Sequence, residues 1–535
     1  MKRISKIITY ILITLIMVYI TSFFTKNRKN NEISKQETKQ EINYEETKPG
    51  AAEENKTSMA DNSVSLEEEK VAEKEISNEK EVVKKEKVEE DKIENKRVEN
   101  ERYINTVVKT YYDENKKDYA YTLKKGTRVF VLENLEIEKI VKNKNTQNEE
   151  VITIKNSKIS FKDLDEEKVV WVEDKFLTDN RAEVLPGNLD DIKIVNKEKR
   201  EYEGNPRVKV RGLYVSAKTL AWTKRLDEIL KLAKENNINA FVIDVKGDYG
   251  EITFPVSEEV KDYSESSNKN VDIKEIEPIM QKLKENNIYT IARIVSFKDP
   301  IYAKENPKKV ITYKENGKAF SNKDGLTWVS PHDRKLWEYN IFVAKEAAKA
   351  GFNEIQFDYV RFPASDGGKL DKVLDYKNTK TESKAKTIQE YLDYARQELE
   401  PLNVYISADV YGQVASVEDD MALGQYWEAV SSEVDYISPM MYPSHYGKGV
   451  YGLSVPDANP YKTVYNSTKD SINRNNNIEN PAVIRPWIQA FTAKWVKGHI
   501  KYGPQEIREQ IKAMKDLGVE EYILWSPTNK YEAYF

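Results

Sequence analysis

The sequence contains no cysteine and only three histidines, which are far apart along the chain (His332, His445 and His499). Without cysteine there can be no disulfide, thiolate metal site, thiol nucleophile or lipidated lipoprotein anchor. Three scattered histidines also argue against a multi-histidine metal site. We therefore expect neither a metal nor a cofactor.

An excess of charge of one sign is missing as well. The 85 Lys and Arg residues face 90 Asp and Glu residues, which gives a formal net charge of -5. A chain balanced in this way has no overall basic field to attract nucleic acid. We expect no nucleic-acid partner.

Long apolar runs are scarce, and the one that stands out lies at the N-terminus. Lys2, Arg3 and Lys6 precede the uncharged stretch Ile7–Thr25, which is long enough to cross most of a bilayer's hydrocarbon core. No small-x-small cleavage pattern closes it. We interpret residues 1–26 as a signal anchor, which makes the protein a single-pass cell-membrane protein with the rest of the chain outside the cytoplasm. If the segment is cleaved, the protein is secreted.

Apolar residues are also few between about 27 and 100, where Glu, Lys, Asn and Ser dominate. Such a composition buries too little apolar surface to offset the entropy of ordering. We predict a disordered, charged linker that lifts the rest of the chain from the membrane. Transient helix supported by Glu–Lys pairs is the structural alternative.

Residues 103–180 contain short β-rich runs separated by charged turns, which predicts a small all-β domain. Two of its segments are Tyr121-Thr-Leu-Lys-Lys-Gly-Thr-Arg-Val-Phe-Val-Leu and Trp171-Val-Glu-Asp-Lys-Phe-Leu. They resemble bacterial SH3-like domains, which often bind cell-wall peptides or glycans. The resemblance implies a contact with the cell wall, and a plain spacer module is the alternative.

From about residue 200 to 535, apolar strand-like runs alternate with amphipathic helical patterns. The eight predicted strands are Val208–Ala217, Ala240–Lys246, Tyr289–Phe297, Glu354–Phe362, Val404–Tyr411, Tyr436–Tyr442, Val483–Phe491 and Glu521–Ser526. Eight strand–helix units predict a (β/α)₈ TIM barrel, so the fold class is α/β with a small β domain in front. A doubly wound open sheet is the alternative, but no glycine-rich phosphate turn follows the first strand.

Carboxylates stand near the carboxyl ends of three predicted strands, which is where such barrels carry their active sites: Asp244, Asp358 and Asp409. An Asp within an apolar strand needs a partner or a polar pocket, so three at corresponding positions indicate a shared site. Glycoside hydrolysis needs two carboxyl groups across the scissile bond. We predict Asp358 as nucleophile or transition-state stabiliser, kept ionised by Arg361, and Asp409 as general acid/base, although the two roles could be exchanged.

The remaining rim is rich in aromatic and polar side chains, as expected where sugar rings stack. Lys246 suggests a different chemistry, imine formation, but the neighbouring Asp244 and Asp248 disfavour the neutral amine that this reaction needs. The predicted substrate-binding residues are Asp244, Arg293, Arg361, Tyr442, His445, Trp487, Gln489 and Trp525.

Four segments carry a resemblance to known proteins: Val210-Arg-Gly-Leu-Tyr-Val, Phe357-Asp-Tyr-Val-Arg-Phe-Pro, Asp435-Tyr-Ile-Ser-Pro-Met-Met-Tyr-Pro-Ser-His and Pro486-Trp-Ile-Gln-Ala-Phe. They resemble a family of bacterial glycoside hydrolases defined by a domain of unknown function. The second segment is also similar to the fourth strand of α-amylase-like barrels, which implies a nucleophile at Asp358. Amylase-like enzymes carry Glu on strand five, where this chain has Asp409.

These observations favour hydrolysis of a cell-surface or environmental polysaccharide by a two-carboxylate mechanism. The alternative is a non-catalytic glycan-binding or envelope-scaffold protein that uses the barrel rim as a lectin-like surface.

Overall fold

The computed structural model describes residues 100–142, 149–187, 189, 191–365 and 367–535. The apolar segment Ile7–Thr25 and nearly all of the charged linker lie outside these residues, so the anchor and the linker stay predictions. Within the described ranges, no helix has both the length and the apolar character needed to span a bilayer.

The first folded region is an antiparallel sheet with strand order β3-β2-β6-β5-β4-β1-β7. Its apolar face is closed by buried side chains such as Ile104, Val129, Ile159 and Val170. Its strands are β1 (Glu101–Ile104), β2 (Val108–Tyr111), β3 (Tyr119–Leu123), β4 (Arg128–Lys142), β5 (Glu149–Asp163), β6 (Glu166–Glu173) and β7 (Leu177–Thr178).

The second region is a closed barrel of eight parallel strand positions, as the alternating pattern predicts. Closure is completed by β18, which pairs with the first barrel strand, β8, at Tyr522 to Leu524. The barrel strands are β8 (Arg211–Val215), β9 (Ala240–Lys246), β10 (Tyr289–Val295), β12 (Glu354–Asp358), β14 (Tyr405–Tyr411), β15 (Tyr436–Met440), β16 with β17 (Val483–Ile484 and Trp487–Gln489) and β18 (Tyr522–Trp525). Two short strands, β11 (Thr312–Tyr313) and β13 (Leu374–Asp375), pair in the loops.

Helices cover the outside of the barrel, and the main hydrophobic core lies between them and the strands. Their apolar faces follow the helical period, as in Leu226, Ile229, Leu230 and Ala233. In the described residues the helices are α1 (Ala217–Ala221), α2 (Thr223–Glu235), α3 (Glu277–Glu285), α4 (Pro300–Glu305), α5 (Arg334–Lys349), α6 (Lys384–Leu399), α7 (Trp427–Ser431), α8 (Pro460–Asn475) and α9 (Pro504–Lys515).

The end of α8 contacts the antiparallel sheet. The Leu164 backbone N–H donates to Asn473 Oδ1 at 3.0 Å, and Asn476 Nδ2 donates to the Leu164 carbonyl at 2.8 Å. The Arg128 N–H donates to Asn477 Oδ1 at 3.2 Å. The sheet is therefore attached to the barrel's outer layer by asparagine side chains in the last turn of α8 and just after it.

Seven of the eight predicted strands are shorter in the structure than the sequence pattern indicates, and the backbone explains two of the larger differences. The fourth ends at Asp358 because Tyr359 adopts a left-handed backbone with φ of 48°, which breaks the strand. The seventh is split into β16 and β17 by Arg485 and Pro486, and proline has no N–H to donate to the ladder. The chain passes from a helix to the next strand twice through Asn-Asn-Ile, where Asn237 and Asn287 have φ of 54° and 56°, a conformation that asparagine tolerates.

Alternation along the strands sends every second side chain into the barrel. At the amino ends these side chains form what we call the floor, with Glu354 and Arg485 at its centre. At the carboxyl ends they form the mouth, with Arg293, Asp358 and Asp409. Glu354 and Asp358 lie four residues apart on β12 and belong to the two opposite ends.

Candidate active site

Arg293, on β10, is the centre of the charged cluster at the mouth. Its Nε and Nη2 both donate to Asp358 Oδ2, at 2.9 and 2.6 Å, and its Nη1 donates to Asp244 Oδ1 at 2.7 Å. Nη2 also lies 3.2 Å from Asp248 Oδ1. One buried guanidinium therefore serves three carboxyl groups, and the pKa of Arg293 is raised well above its usual value because these charges outweigh the effect of burial.

Asp358 is held from two sides. Arg293 binds Oδ2, and the backbone N–H of Tyr359 donates to Oδ1 at 2.6 Å. This second contact depends on the left-handed backbone of Tyr359, a conformation that costs a non-glycine residue energy and is typical of functional sites. The carboxylate is fixed at the wall of the cavity.

Asp409, on β14, has the opposite electrostatic setting. It is buried at 2 % exposure, and its Oδ1 accepts a hydrogen bond from Trp487 Nε1 at 2.7 Å. Burial, and then the negative charge of Asp358, raise the pKa of Asp409 well above its ordinary value. The mouth therefore pairs a carboxylate bound to arginine with a buried carboxyl group whose pKa is raised.

Two further carboxyl groups complete the cluster. Burial raises the pKa of Asp244, whose Oδ2 accepts a hydrogen bond from the Tyr214 hydroxyl at 2.5 Å. Burial also acts to raise the pKa of Asp248, but the charges of Arg293 and Lys298 outweigh it and hold that pKa below the usual range. Asp248 is the more exposed of the two, at 42 % for its side chain.

A cavity of about 220 Å³ opens at the mouth. Its wall is rich in rings, and Trp487 and Trp525 meet edge to face with centroids 5.7 Å apart. Tyr442 continues the wall through ring contacts to Phe491 at 5.9 Å, and Phe491 stacks on Trp495 at 5.9 Å. The lining residues are Asp248, Arg293, Asp358, Tyr359, Arg361, Asp409, Tyr411, Gly412, Gln413, Met440, Tyr442, His445, Tyr446, Trp487 and Trp525.

Residues 212–531 match the model of a family described as "Putative glycosyl hydrolase domain". The chain belongs to this family. The match begins within the first barrel strand and ends close to the C-terminus, so the glycosyl hydrolase domain and the barrel coincide. The SH3-like resemblance of the preceding sheet stays a prediction, because that sheet lies before the match.

Solved structures similar to the chain include a hypothetical protein from Ruminiclostridium thermocellum, with 34% identity over 37% of this chain and 97% of that chain and a TM-score of 0.33. Another is the PgaB (BpsB) glycoside hydrolase domain from Bordetella bronchiseptica, with 14% identity, 61% and 96% coverage and a TM-score of 0.44. A third is an endo-1,4-beta-D-mannanase from Thermotoga petrophila, with 13% identity, 59% and 88% coverage and a TM-score of 0.38. A search of curated proteins found no match.

The glycosyl hydrolase domain brings most of the predicted site residues to one cavity. Both predicted catalytic residues line it, together with six of the eight predicted substrate-binding residues: Arg293, Arg361, Tyr442, His445, Trp487 and Trp525. Asp244 is not among the residues that line the cavity. It accepts hydrogen bonds from Arg293, which lines the cavity, and from Tyr214, so it supports Arg293.

Gln489, the other predicted substrate-binding residue outside the cavity lining, makes its contacts within the protein. Its Oε1 accepts the Ser444 N–H at 3.0 Å, and its Nε2 donates to Asp457 Oδ1 and to the Phe491 carbonyl. The side chain is fully buried and its hydrogen bonds are used within the protein. It holds the loops after β15 and β17 together.

Arg361 was expected to lie beside Asp358, but Arg293 makes the ion pair with that carboxylate. Arg361 follows the break in β12 at Tyr359, donates to the carbonyl of Phe362 and lies against aromatic rings.

Lys246 does not offer an amine to the cavity. A register shift between β9 and β10 places Lys246 opposite Ile294, and its Nζ pairs with Asp299 at 2.7 Å and with Asn340 of α5 at 3.0 Å. The bulge turns the side chain into the helical layer. This geometry removes the imine-forming alternative.

Several residues of the site are absent from the sequence prediction. Tyr359, Tyr411, Met440 and Tyr446 line the cavity from turns and strand ends. Lys298 lies beneath it, with Nζ 3.7 Å from the centre of the Tyr359 ring and 3.6 Å from Asp248 Oδ2. Their sequence signal is a position in the second half of a predicted strand, for Tyr359, Tyr411 and Met440, or shortly after one, for Lys298 and Tyr446.

Proposed function

We propose that the barrel hydrolyses glycosidic bonds of a polysaccharide, with Asp409 as general acid and Asp358 as nucleophile. The observation that carries the proposal is the electrostatic contrast between the two carboxyl groups in one cavity: Arg293 binds Asp358, and the pKa of Asp409 is raised. Two carboxyl groups set apart in this way are what acid-assisted cleavage of an acetal requires.

In the proposed reaction, Asp409 gives its proton to the leaving glycosidic oxygen while an oxygen of Asp358 attacks the anomeric carbon. The bond between that carbon and the leaving oxygen breaks, and a glycosyl ester on Asp358 forms. Asp409, now ionised, takes a proton from water as the water oxygen attacks the same carbon, which frees the sugar and returns both groups to their starting states.

The aromatic wall supports the binding of sugar. Trp487, Trp525 and Tyr442 offer flat apolar faces, and their rings exclude water from the positive charge that develops on the sugar ring. Trp487 has a second role in the proposal, since its N–H fixes the carboxyl group of Asp409.

The test is a glycan-array hydrolysis experiment with the wild-type protein and the Asp358→Asn variant, followed by product analysis. We expect the wild type to release sugar from at least one class of glycan and the variant to bind the same glycan without cleaving it. Binding without product in both proteins would contradict hydrolysis and favour the lectin-like alternative. Equal product from both would remove Asp358 from the mechanism.

We also propose that the protein acts outside the cytoplasm, tethered by Ile7–Thr25 and spaced from the membrane by the charged residues that follow. The sheet of β1–β7 would add a contact with the cell wall, which raises the local concentration of glycan around the barrel. Cell fractionation and protease treatment of intact cells test the tether: we expect membrane-bound protein that external protease removes. Protein in the soluble cell extract would contradict it.

A further inference from the structure

Arg361 is the second cation in the wall of the cavity, and its surroundings differ from those of Arg293. Its side chain is 6 % exposed, and its guanidinium carbon lies 4.9 Å from the centre of the Trp328 ring, 5.2 Å from Tyr359 and 4.8 Å from Tyr411. Three rings therefore surround a buried charge that borders the space available to substrate.

Within the described ranges, no carboxylate pairs with Arg361. Its one hydrogen bond runs from Nη1 to the carbonyl of its own neighbour, Phe362, at 3.0 Å. Arg293 and Arg485 are equally buried, and each pairs with two or more carboxylates. Arg396 lacks a carboxylate partner too, but it lies away from the cavity and donates to the carbonyls of Glu198 and Glu433.

Burial of an unpaired charge is costly, and the fold accepts this cost at the wall of the cavity. The rings stabilise the cation through their faces, but they leave most of the five N–H donors of the guanidinium without an acceptor. A planar fork of N–H groups beside a cavity matches a carboxylate, which accepts two parallel hydrogen bonds.

Arg361 is not the ion-pair partner of Asp358. Arg293 already donates twice to that carboxylate, and no hydrogen bond joins Arg361 to it. One loop at the carboxyl ends of the strands has the same sign as Arg361: residues 490–503, after β17, carry Lys494, Lys497 and Lys501 and no Asp or Glu. A basic loop raises the local concentration of an anionic polymer.

We propose that Arg361 binds the carboxylate of an acidic sugar, so that the substrate is a glycan containing uronic acid. The inference rests on the proposed function in that it deepens the use of the same cavity, but it concerns binding and is tested without turnover. Trp328, Tyr359 and Tyr411 hold the guanidinium in place for this contact.

The experiment measures affinity by quenching of tryptophan fluorescence, with oligosaccharides of galacturonic, glucuronic and mannuronic acid as probes. Each probe is compared with the same oligosaccharide after its carboxyl groups have been reduced to neutral hydroxymethyl groups. We expect the full-length wild type to prefer at least one acid form by about 10- to 100-fold, the range of a charged hydrogen-bonded pair. No preference for any of the three would overturn the proposal.

Two variants test whether Arg361 causes the preference for the acid form. Arg361→Gln should bring the ratio of acid to neutral affinity close to one, and Arg361→Lys, which keeps the charge but loses the planar fork, should give an intermediate ratio. Lys384→Gln is the matched control, because Lys384 also lies on aromatic rings, those of Phe362 and Tyr376, but pairs with Asp371 outside the cavity. It should keep the wild-type ratio.

An unchanged ratio in Arg361→Gln would overturn the proposal. A ratio that falls equally in Lys384→Gln would also overturn it, since the loss would then reflect general disturbance of the fold. The proposed hydrolysis fails separately, when no glycan is cleaved although an acid form binds through Arg361. Cleavage of neutral glycans alone, with no acid preference, would leave the hydrolysis and remove the role of Arg361.

Discussion

The two ends of the barrel interior each hold a buried arginine among carboxylates, and they differ in balance and in access. At the floor, Arg485 Nη1 lies 2.8 Å from both oxygens of Glu354, and Nε lies 2.8 Å from Glu521 Oε2. Arg485 and Glu354 are fully buried, and the Tyr289 hydroxyl donates to Glu354 at 3.2 Å. These charges are enclosed and paired.

At the mouth, one arginine serves Asp244, Asp248 and Asp358, and Asp409 stands close by with a raised pKa. Three carboxyl groups share the cation at the mouth, against two at the floor. A buried ion pair is therefore by itself no sign of a functional site. The mouth differs from the floor in that a cavity lies beside it and in that Asp409, which lines this cavity, has no ion-pair partner in the described ranges.

The largest effect is expected at Asp358. Asp358→Asn removes the proposed nucleophile while it keeps the shape of the side chain, so kcat should fall by about 10³-fold or more. Steady-state kinetics on the glycan identified by array measures the loss, and circular dichroism confirms the fold. A kcat within a factor of a few of the wild-type value would contradict a catalytic role for Asp358 at the mouth.

Asp409→Asn should lower hydrolysis of the same glycan by about 10²- to 10⁴-fold, because the leaving oxygen then departs without a proton. A substrate with an activated leaving group, such as a nitrophenyl glycoside, needs this proton less and should lose less. Kinetics on the two substrates measures the difference. Equal losses on both would show that Asp409 acts in some other way.

The matched change at the floor is Glu354→Gln, on the same strand and the same inward face as Asp358. It leaves Arg485 buried with only Glu521 for a partner, and we expect a loss of about 3–5 kcal/mol in the free energy of unfolding. Denaturant unfolding measures this loss. The kcat of the folded fraction should stay at the wild-type value. A loss of kcat without a loss of stability would contradict the structural role of the floor.

The smallest effect concerns the outer end of the aromatic wall. Trp495 is 69% exposed and stacks on Phe491, which contacts the cavity residue Tyr442. Trp495→Ala should raise KM for long oligosaccharides by about 2- to 10-fold, the worth of one stacking contact, and should leave short substrates unaffected. Trp222 is nearly as exposed, at 62%, and no ring contact joins it to the cavity wall in the described chain. Trp222→Ala is therefore the control, and an equal effect there would remove the special role of Trp495.

Periodicity in the sequence predicts the barrel because it depends on many residues at once. Alternating apolar runs and helical patterns repeat eight times, and errors at individual ends, such as Phe362 for Asp358, do not change the architecture. The carboxylates were also predictable, since Asp358 and Asp409 interrupt apolar strands at positions that the barrel brings together.

The partners of these carboxylates were not predictable from the sequence. Arg293 pairs with Asp358 across neighbouring strands, and its role depends on the register of β10 against β12. The bulge that turns Lys246 outward and the left-handed backbone of Tyr359 are local irregularities that alternation does not contain. Gln489 looks like a rim residue until the loops that use its hydrogen bonds are in place.

The pH dependence of kcat/KM tests the central claim most directly, namely that the mouth pairs a carboxylate bound to arginine, Asp358, with a carboxyl group of raised pKa, Asp409. The pKa of Asp409 is raised, so its protonated fraction persists above the ordinary range of an Asp and falls as pH rises through that elevated value. We expect the wild type to lose activity on this alkaline limb, and Asp409→Asn, assayed on a nitrophenyl glycoside, to lack the limb. An alkaline limb that stays at the same pH in Asp409→Asn would contradict the claim.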